Sequence, residues 1–256
     1  MTVSSRPLTQ DEQNGQVIRP CGGHDRIFLQ APNGYVSWRG WLAGKGLPLA
    51  IFIMALVVNS QALPHEVARA MRDGLPLHSL MQLLRQSLML GFFLFIAAAY
   101  LTRTRAVTPA RGFWEKGFPF LVLCANFVGM SLLERSAALE RLDLIMVGLL
   151  LTLLGYCVSL WALWHLQSSF AIMAEARSPV MSGPYQYIRH PLYLGELLAL
   201  LGLCLAMGTV PAILFWVVLT GMQLMRASIE ETKLARQFAD YRAYLERTRF
   251  VLPGLY

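Results

Sequence analysis

The chain has 256 residues, of which 55% are hydrophobic and only 14% charged, and its mean hydropathy is +0.47, too apolar and too sparsely charged for a soluble domain. Its formal charge of +7 would suit a nucleic-acid binder, but the basic residues are spread over loops and tail rather than gathered on one face, so they read as topology signals and no nucleic-acid partner is expected. Several runs approach the roughly 20 apolar residues that a bilayer crossing needs. The expected class is therefore an all-α, polytopic integral membrane protein.

Residues 1–40 contain Gly15, Pro20, Gly22, Gly23, Pro32 and Gly34 and no apolar periodicity, so a polar N-terminal segment, loop or partly disordered, is expected there. Nothing in it resembles a cleavable signal, and the first span is expected to act as its own insertion signal. A first block of spans is expected over 41–141: Leu42 to Leu63, Leu80 to Leu101 and Phe118 to Leu133. The loop between the second and third holds Arg103, Arg105, Arg111 and Lys116 against Glu115 alone, which assigns it to the cytoplasm. Further spans follow at Leu142 to Leu166, Leu192 to Met207 and Ala212 to Met225, with a Gly208-Thr209-Val210-Pro211 turn between the last two. That gives about six transmembrane helices with both termini cytoplasmic.

The four cysteines form no CxxC pair, and neither a disulfide framework nor a metal site is assigned from them. His165 suits a polar interfacial anchor, and Trp161 and Trp164 suit an aromatic belt. The spans hold Asn59, Asn126 and Gln223 but almost no charge, which argues against a transporter.

Polar chemistry concentrates in Ser182–Glu196, Ser-Gly-Pro-Tyr-Gln-Tyr-Ile-Arg-His-Pro-Leu-Tyr-Leu-Gly-Glu, which opens straight into the fifth apolar run. Gly183-Pro184 signals a turn. Pro191 suits the first turn of a helix, where its missing N–H costs nothing, so His190 is expected at the cap with the free first-turn amides beyond it. Such an end attracts anions. After the last span, Leu234, Phe238, Tyr241 and Leu245 recur at steps of four, three and four, the mark of an amphipathic C-terminal helix. Counting back at about 100° per residue sets Glu230 on the same face and Glu231 at its margin. Arg226 stands one turn before Glu230.

Ser-Gly-Pro-Tyr, Arg-His-Pro-Leu-Tyr-Leu-Gly, Gly202 seven residues on, Glu230-Glu231 followed by Leu234, and Phe238 with Tyr241 and Tyr244 together resemble the isoprenylcysteine carboxyl methyltransferase family and the related phospholipid methyltransferases. The likeness runs from about Gln167 to the C-terminus. It implies a catalytic region over 142–256 that uses S-adenosylmethionine, bound at the cytoplasmic ends of the last spans and covered by the C-terminal helix. Carried over by position, the cofactor contacts are Arg177, Ser178, Pro179, Val180, Tyr185, His190, Pro191, Leu192, Tyr193 and Glu230. Arg226 falls where the family places its substrate-contacting arginine. Where eukaryotic members carry histidine and threonine, this chain has Arg177 and Ser178.

The residues agree with that chemistry. A cofactor that presents a sulfonium, an ammonium, a carboxylate and an adenine ring needs aromatic faces, an acid, an anion-binding end and an apolar slot. A carboxylate acceptor is already ionised at neutral pH and needs no base, so transfer reduces to alignment and exclusion of water, with Arg226 as the clamp. An amine acceptor must first lose a proton, and Glu231 is then the candidate base. No Gly-rich strand-to-helix turn is present, which excludes a soluble doubly wound methyltransferase domain. The expected partners are a lipophilic or lipidated acceptor and membrane lipids; the competing readings are a phospholipid amine methyltransferase, a nicotinamide-dependent reductase of the sterol-reductase type, and a silent scaffold.

Overall fold

The computed structural model describes residues 46–102, 110, 112–134, 142–166, 169 and 179–251. The expectations placed on residues 1–40, on Arg177 and Ser178, and on Arg103, Arg105 and Arg111 lie outside the described residues. The described elements are helices: α1 (Leu47–Ser60), α2 (Leu63–Arg72), α3 (Leu77–Thr102), α4 (Phe118–Glu134), α5 (Leu142–Leu166), α6 (Pro191–Met207), α7 (Val210–Gln237) and α8 (Ala239–Arg247). A π-helical turn, Phe113–Gly117, leads into α4, and a 3-10 turn, Gly183–Gln186, precedes α6.

The described part of the first expected span, 46–63, runs over α1 to the start of α2, and the other five fall on α3 to α7. Among the described residues four stretches are long and apolar enough to cross a bilayer: Leu47–Arg72, Leu77–Thr102, Asp143–Leu166 and Val210–Gln237. Helix α6 is apolar but has 17 residues, about 26 Å at 1.5 Å per residue, at the lower limit for spanning the hydrocarbon layer. Many of the large apolar side chains on α1, α5 and α7 face outward, among them Met54, Leu150 and Val218. Such an exterior is stable only in lipid.

The tightest packing is between α5 and α6. Gly148 and Gly155 on α5 meet Gly202 and Gly195 on α6, so the two helices run antiparallel with matching seven-residue spacings. A Cβ on Gly155 would stand 2.3 Å from the Ala199 amide nitrogen and 2.6 Å from the Gly195 oxygen; one on Gly202 would stand 2.4 Å from the Gly148 oxygen. These neighbours are backbone and cannot yield, which is how small residues hold helices together where lipid offers no hydrophobic drive. Between the glycines, the Thr152 hydroxyl donates to Gly148 O at 2.8 Å and, bifurcated, toward Ala199 O at 3.3 Å.

Two apolar clusters flank this pair. Phe52, Phe92, Phe93, Ile96, Tyr156 and Leu163 join α1, α3 and α5. Phe118, Val122, Leu200, Cys204 and Leu219 join α4, the far half of α6 and α7. Gly208 ends α6 in the left-handed region (φ 59°), its N–H donating to Cys204 O, and Thr209 opens α7 at once, the tight turn that the Gly-Thr-Val-Pro run indicates.

One expectation needs correction. The last span does not stop at Met225: α7 continues unbroken to Gln237, and the helical face counted from Leu234 to Leu245 is split at Phe238, whose extended backbone (φ −124°, ψ 116°) closes α7 and opens α8. No glycine or proline announces that break.

Candidate active site

Helices α6 and α7 face each other through three polar rungs, set by residues three or four apart on each: His190, Tyr193 and Glu196 on one side, Gln223, Arg226 and Glu230 with Glu231 on the other. The spacing places each set on one helical face. Because α6 begins where α7 ends, the rungs descend in order from the helix ends into the bundle.

The outermost rung joins His190 to Glu231. His190 caps α6 with Pro191 at the first position, as the sequence indicates. Its Nε2 lies 3.0 Å from Glu231 Oε1, and Arg189 Nε lies 3.0 Å from the same oxygen, a charge contact too poorly aligned for a hydrogen bond. The Glu231 carboxylate thus turns toward α6, its side chain 16% exposed, further inward than the margin expected for it. In the second rung the Tyr193 hydroxyl donates to Glu230 Oε1 at 2.6 Å, and Arg226 Nε donates to the same oxygen at 3.3 Å. The Arg226 guanidinium sits over the Tyr193 ring, 5.0 Å from its centroid, and Tyr193 stacks in turn on His190 with planes 2° apart. Arg226 is buried, with 6% of its surface exposed. Among the described residues no acceptor hydrogen-bonds its two Nη groups. In the deepest rung Gln223 Nε2 donates to Glu196 Oε2 at 2.9 Å.

The C-terminal segment fixes the first rung from outside the bundle. The amides of Arg189 and His190 donate to Arg249 O (2.8 Å) and Phe250 O (3.2 Å), and the Arg249 amide donates to Tyr187 O (3.3 Å), a short parallel bridge. The Phe250 ring meets His190 edge-on at 5.2 Å and lies under the Arg189 guanidinium at 5.6 Å. Arg189 Nη1 donates to Leu245 O, and the Tyr244 hydroxyl donates to Tyr185 O. Burial pushes the Tyr244 phenol up to about 12, and burial likewise raises Tyr185 and Tyr241 well above the ordinary phenol range. All three keep their protons, and Tyr244 remains a donor.

Of the residues singled out in the sequence, Tyr185, His190, Pro191, Leu192, Tyr193, Arg226, Glu230 and Glu231 come together around the start of α6. Val180 packs into the cluster that includes Tyr185 and Leu192, and Pro179 precedes it. Gly183 takes a positive φ (61°) and has the His165 ring where a Cβ would stand, so His165 backs the turn, its Nδ1 3.0 Å from Trp161 O. Glu196, Arg189 and Tyr244 stand inside the quoted motifs but carry no assigned role there, and Phe250 has none either. The 190-193-196 spacing is a signal that exposes Glu196; the bridge to residue 249 has no local signal.

The remaining elements bring further groups to this end. Lys233 Nζ on α7 bonds Glu115 Oε2 at 2.6 Å, tying the entry of α4 to α7. Tyr100, fully buried near the end of α3, lies within electrostatic reach of Arg226. The entry to α4 at Glu115 and the turn before α6 therefore share one side of the bundle.

No curated protein matches the chain. The family model described as phospholipid methyltransferase matches residues 144–241, which span α5, the α5–α6 glycine contact, all three rungs and the start of α8. Over that stretch the chain is similar to the integral membrane methyltransferases that its Arg-His-Pro-Leu-Tyr-Leu-Gly motif resembles.

Proposed function

We propose that the chain is an S-adenosylmethionine-dependent integral membrane methyltransferase that modifies a lipophilic acceptor at a carboxylate oxygen. The observation that carries this reading is the state of Arg226: buried, anchored through Nε to Glu230, and with its terminal fork uncommitted. The two Nη groups are not among the sealed atoms that lack a partner, so the fork stays open at its tip, and a bidentate oxyanion is the partner its geometry suits.

The residues fit the cofactor as well. Tyr185, Tyr193 and His190 offer aromatic faces, Glu230 an acid for an ammonium, and the α6 start an end suited to a carboxylate, with Pro179, Val180, Pro191 and Leu192 as the apolar border. Arg177 and Ser178 complete the set in this proposal. When bound, S-adenosylmethionine supplies an electrophilic methyl group on a sulfonium sulfur. The chain's own part is positional: Glu230 is oriented by the Tyr193 hydroxyl and by Arg226, Arg226 aims one oxygen of the acceptor, and α8 with the segment after it keeps water out. We further assign six crossings to the helices, a catalytic region over 142–256 and this end of the bundle to the cytoplasm, on the strength of the basic 103–116 loop.

The second reading, methylation of a phospholipid amine, is favoured by the matched family's description. Glu231 would then be the base. The test is transfer of labelled methyl from S-adenosylmethionine to prenylated thio-acids, fatty acids and aminolipids in vesicles. Label on the acids that alkali releases as methanol supports the carboxylate reading; alkali-stable label on aminolipids alone overturns it.

A further inference from the structure

The deepest rung holds a carboxylate that the proposed chemistry does not use. Glu196 lies in the second turn of α6 and accepts one hydrogen bond, from Gln223 Nε2 at 2.9 Å. Gln223 is buried on α7, and its own carbonyl Oε1 has no hydrogen-bond partner. The amide is turned to serve the acid and leaves its oxygen unsatisfied, an arrangement that joins two helices poorly but orients a carboxylate well. A carboxylate within a membrane helix marks a functional position by default.

Arg226 stands one turn from Gln223 toward the end of α7, and its guanidinium is the cation within electrostatic reach of Glu196. Glu230 is within the same reach. One guanidinium therefore serves two carboxylates: Glu230, which accepts from Nε at 3.3 Å, and Glu196, which among the described residues makes no ion-pair contact with it. An acceptor carboxylate in the fork is a third. Like charges gathered around one cation in a dry bundle repel, and the acceptor is the one of the three that loses its charge. In the transfer an acceptor oxygen bonds the methyl carbon as the carbon–sulfur bond breaks; the bonding pair stays on sulfur and no proton moves. Repulsion from Glu196 is thus full before transfer and fading in the transition state, and such a difference, rather than tight binding, speeds a step.

We propose that Glu196, oriented by Gln223, is a positioning residue that acts through Arg226: it shares the guanidinium with the acceptor's anion, keeps that anion loosely held before transfer, and balances Arg226 once the acceptor is a neutral ester. The inference rests on the proposed function for the carboxylate acceptor.

Palmitate and methyl palmitate serve as probes, titrated into the full chain in nanodiscs without cofactor at about pH 8.5, where the acid is ionised. Glu196→Gln keeps the shape and a partner for Gln223 but removes the charge. It is expected to bind palmitate about tenfold or more tighter than wild type, with methyl palmitate unchanged. Glu196→Asp keeps the charge and should stay near wild type, whereas a merely structural role would weaken both probes together. With S-adenosylmethionine and a prenylated thio-acid, Glu196→Gln should lower KM and kcat together, the mark of a destabilised ground state relieved. Palmitate affinity in Glu196→Gln equal to or weaker than wild type, or a lower kcat at unchanged KM, overturns the proposal. Tighter palmitate binding in Glu196→Gln with no methyl transfer by wild type upholds the sharing of Arg226 and overturns the methyltransferase reading; transfer by wild type with palmitate affinity unchanged in the variant does the reverse.

Discussion

Arg226 and Glu230 share a helix face and a hydrogen bond, and the proposed function gives them separable tasks. Replacing Arg226 with lysine keeps the charge but loses the planar fork, so alignment of the acceptor is lost while Glu230 stays in place. We expect turnover to drop by about 100-fold or more, with cofactor affinity near wild type, in steady-state kinetics beside direct binding. Tyr244 makes a prediction about pH. Its phenol is held to about 12 in the fold against an ordinary value near 10, so the protonated form is the one that folding favours. Burial is what favours the protonated phenol, so the stabilisation this contributes is complete below pH 10 and lost as pH rises from 10 to 12. Melting temperature against pH should show that loss in wild type, and Tyr244→Phe should remove part of it while lowering stability near pH 7 by about 1 kcal/mol. At this scale the sequence was legible wherever a local rule applied. Pro191 betrayed the cap at His190, and helical counting set Glu230 inward. Glu231 was assigned to the margin because counting along one helix is blind to Arg189 and His190 on its neighbour, which draw the carboxylate in.

Helix α6 is held to α5 by backbone contact and to α7 by side-chain rungs, and the two respond differently to substitution. Gly155→Val or Gly195→Val must separate α5 from α6, because the blocking atoms are main chain at Gly155 and, at Gly195, the Ser159 amide nitrogen and the Gly155 oxygen beside the Ser159 hydroxyl. We expect a loss of about 1–3 kcal/mol, read as a lower melting temperature in detergent. Gly91→Ala and Gly221→Ala meet nothing within 4 Å and serve as tolerated controls. The seven-residue glycine spacing is present in both helices, but in the sequence only the half from Gly195 to Gly202 belongs to a motif, and the Gly148 to Gly155 half gains meaning once the partner helix is known. The break at Phe238 was not legible at all: apolar periodicity continues through it, and tertiary contacts, including Arg242 Nε reaching back to Ala235 O, set the new direction. Glu196 escaped for a further reason. It closes the polar Ser182–Glu196 stretch and also lies inside the fifth span, Leu192 to Met207, so the motif around it masks a charge within the membrane helix.

Across the whole molecule, residues far apart in sequence converge on one end of the bundle: the entry to α4, the turn before α6, the end of α7 and the segment after α8. The hydrophobic pattern made the membrane class and the helix positions readable, because lipid demands long apolar helices and little else. The convergence was readable only through the family resemblance, since the bridge between 187–190 and 249–250 is a non-local pairing of ordinary residues. If that bridge orders the site, removing residues 248–256 should weaken cofactor binding by about tenfold or more and leave the helical content unchanged by circular dichroism. The central claim is that this end of the bundle, built from the start of α6 and the acids of α7, holds S-adenosylmethionine. Calorimetric titration of the protein in nanodiscs tests it most directly: we predict binding of S-adenosylmethionine to wild type, near-normal binding to Arg226→Lys and binding about tenfold or more weaker to Glu230→Gln. Binding of NADPH in place of S-adenosylmethionine, or equal affinity in wild type and Glu230→Gln, would contradict it.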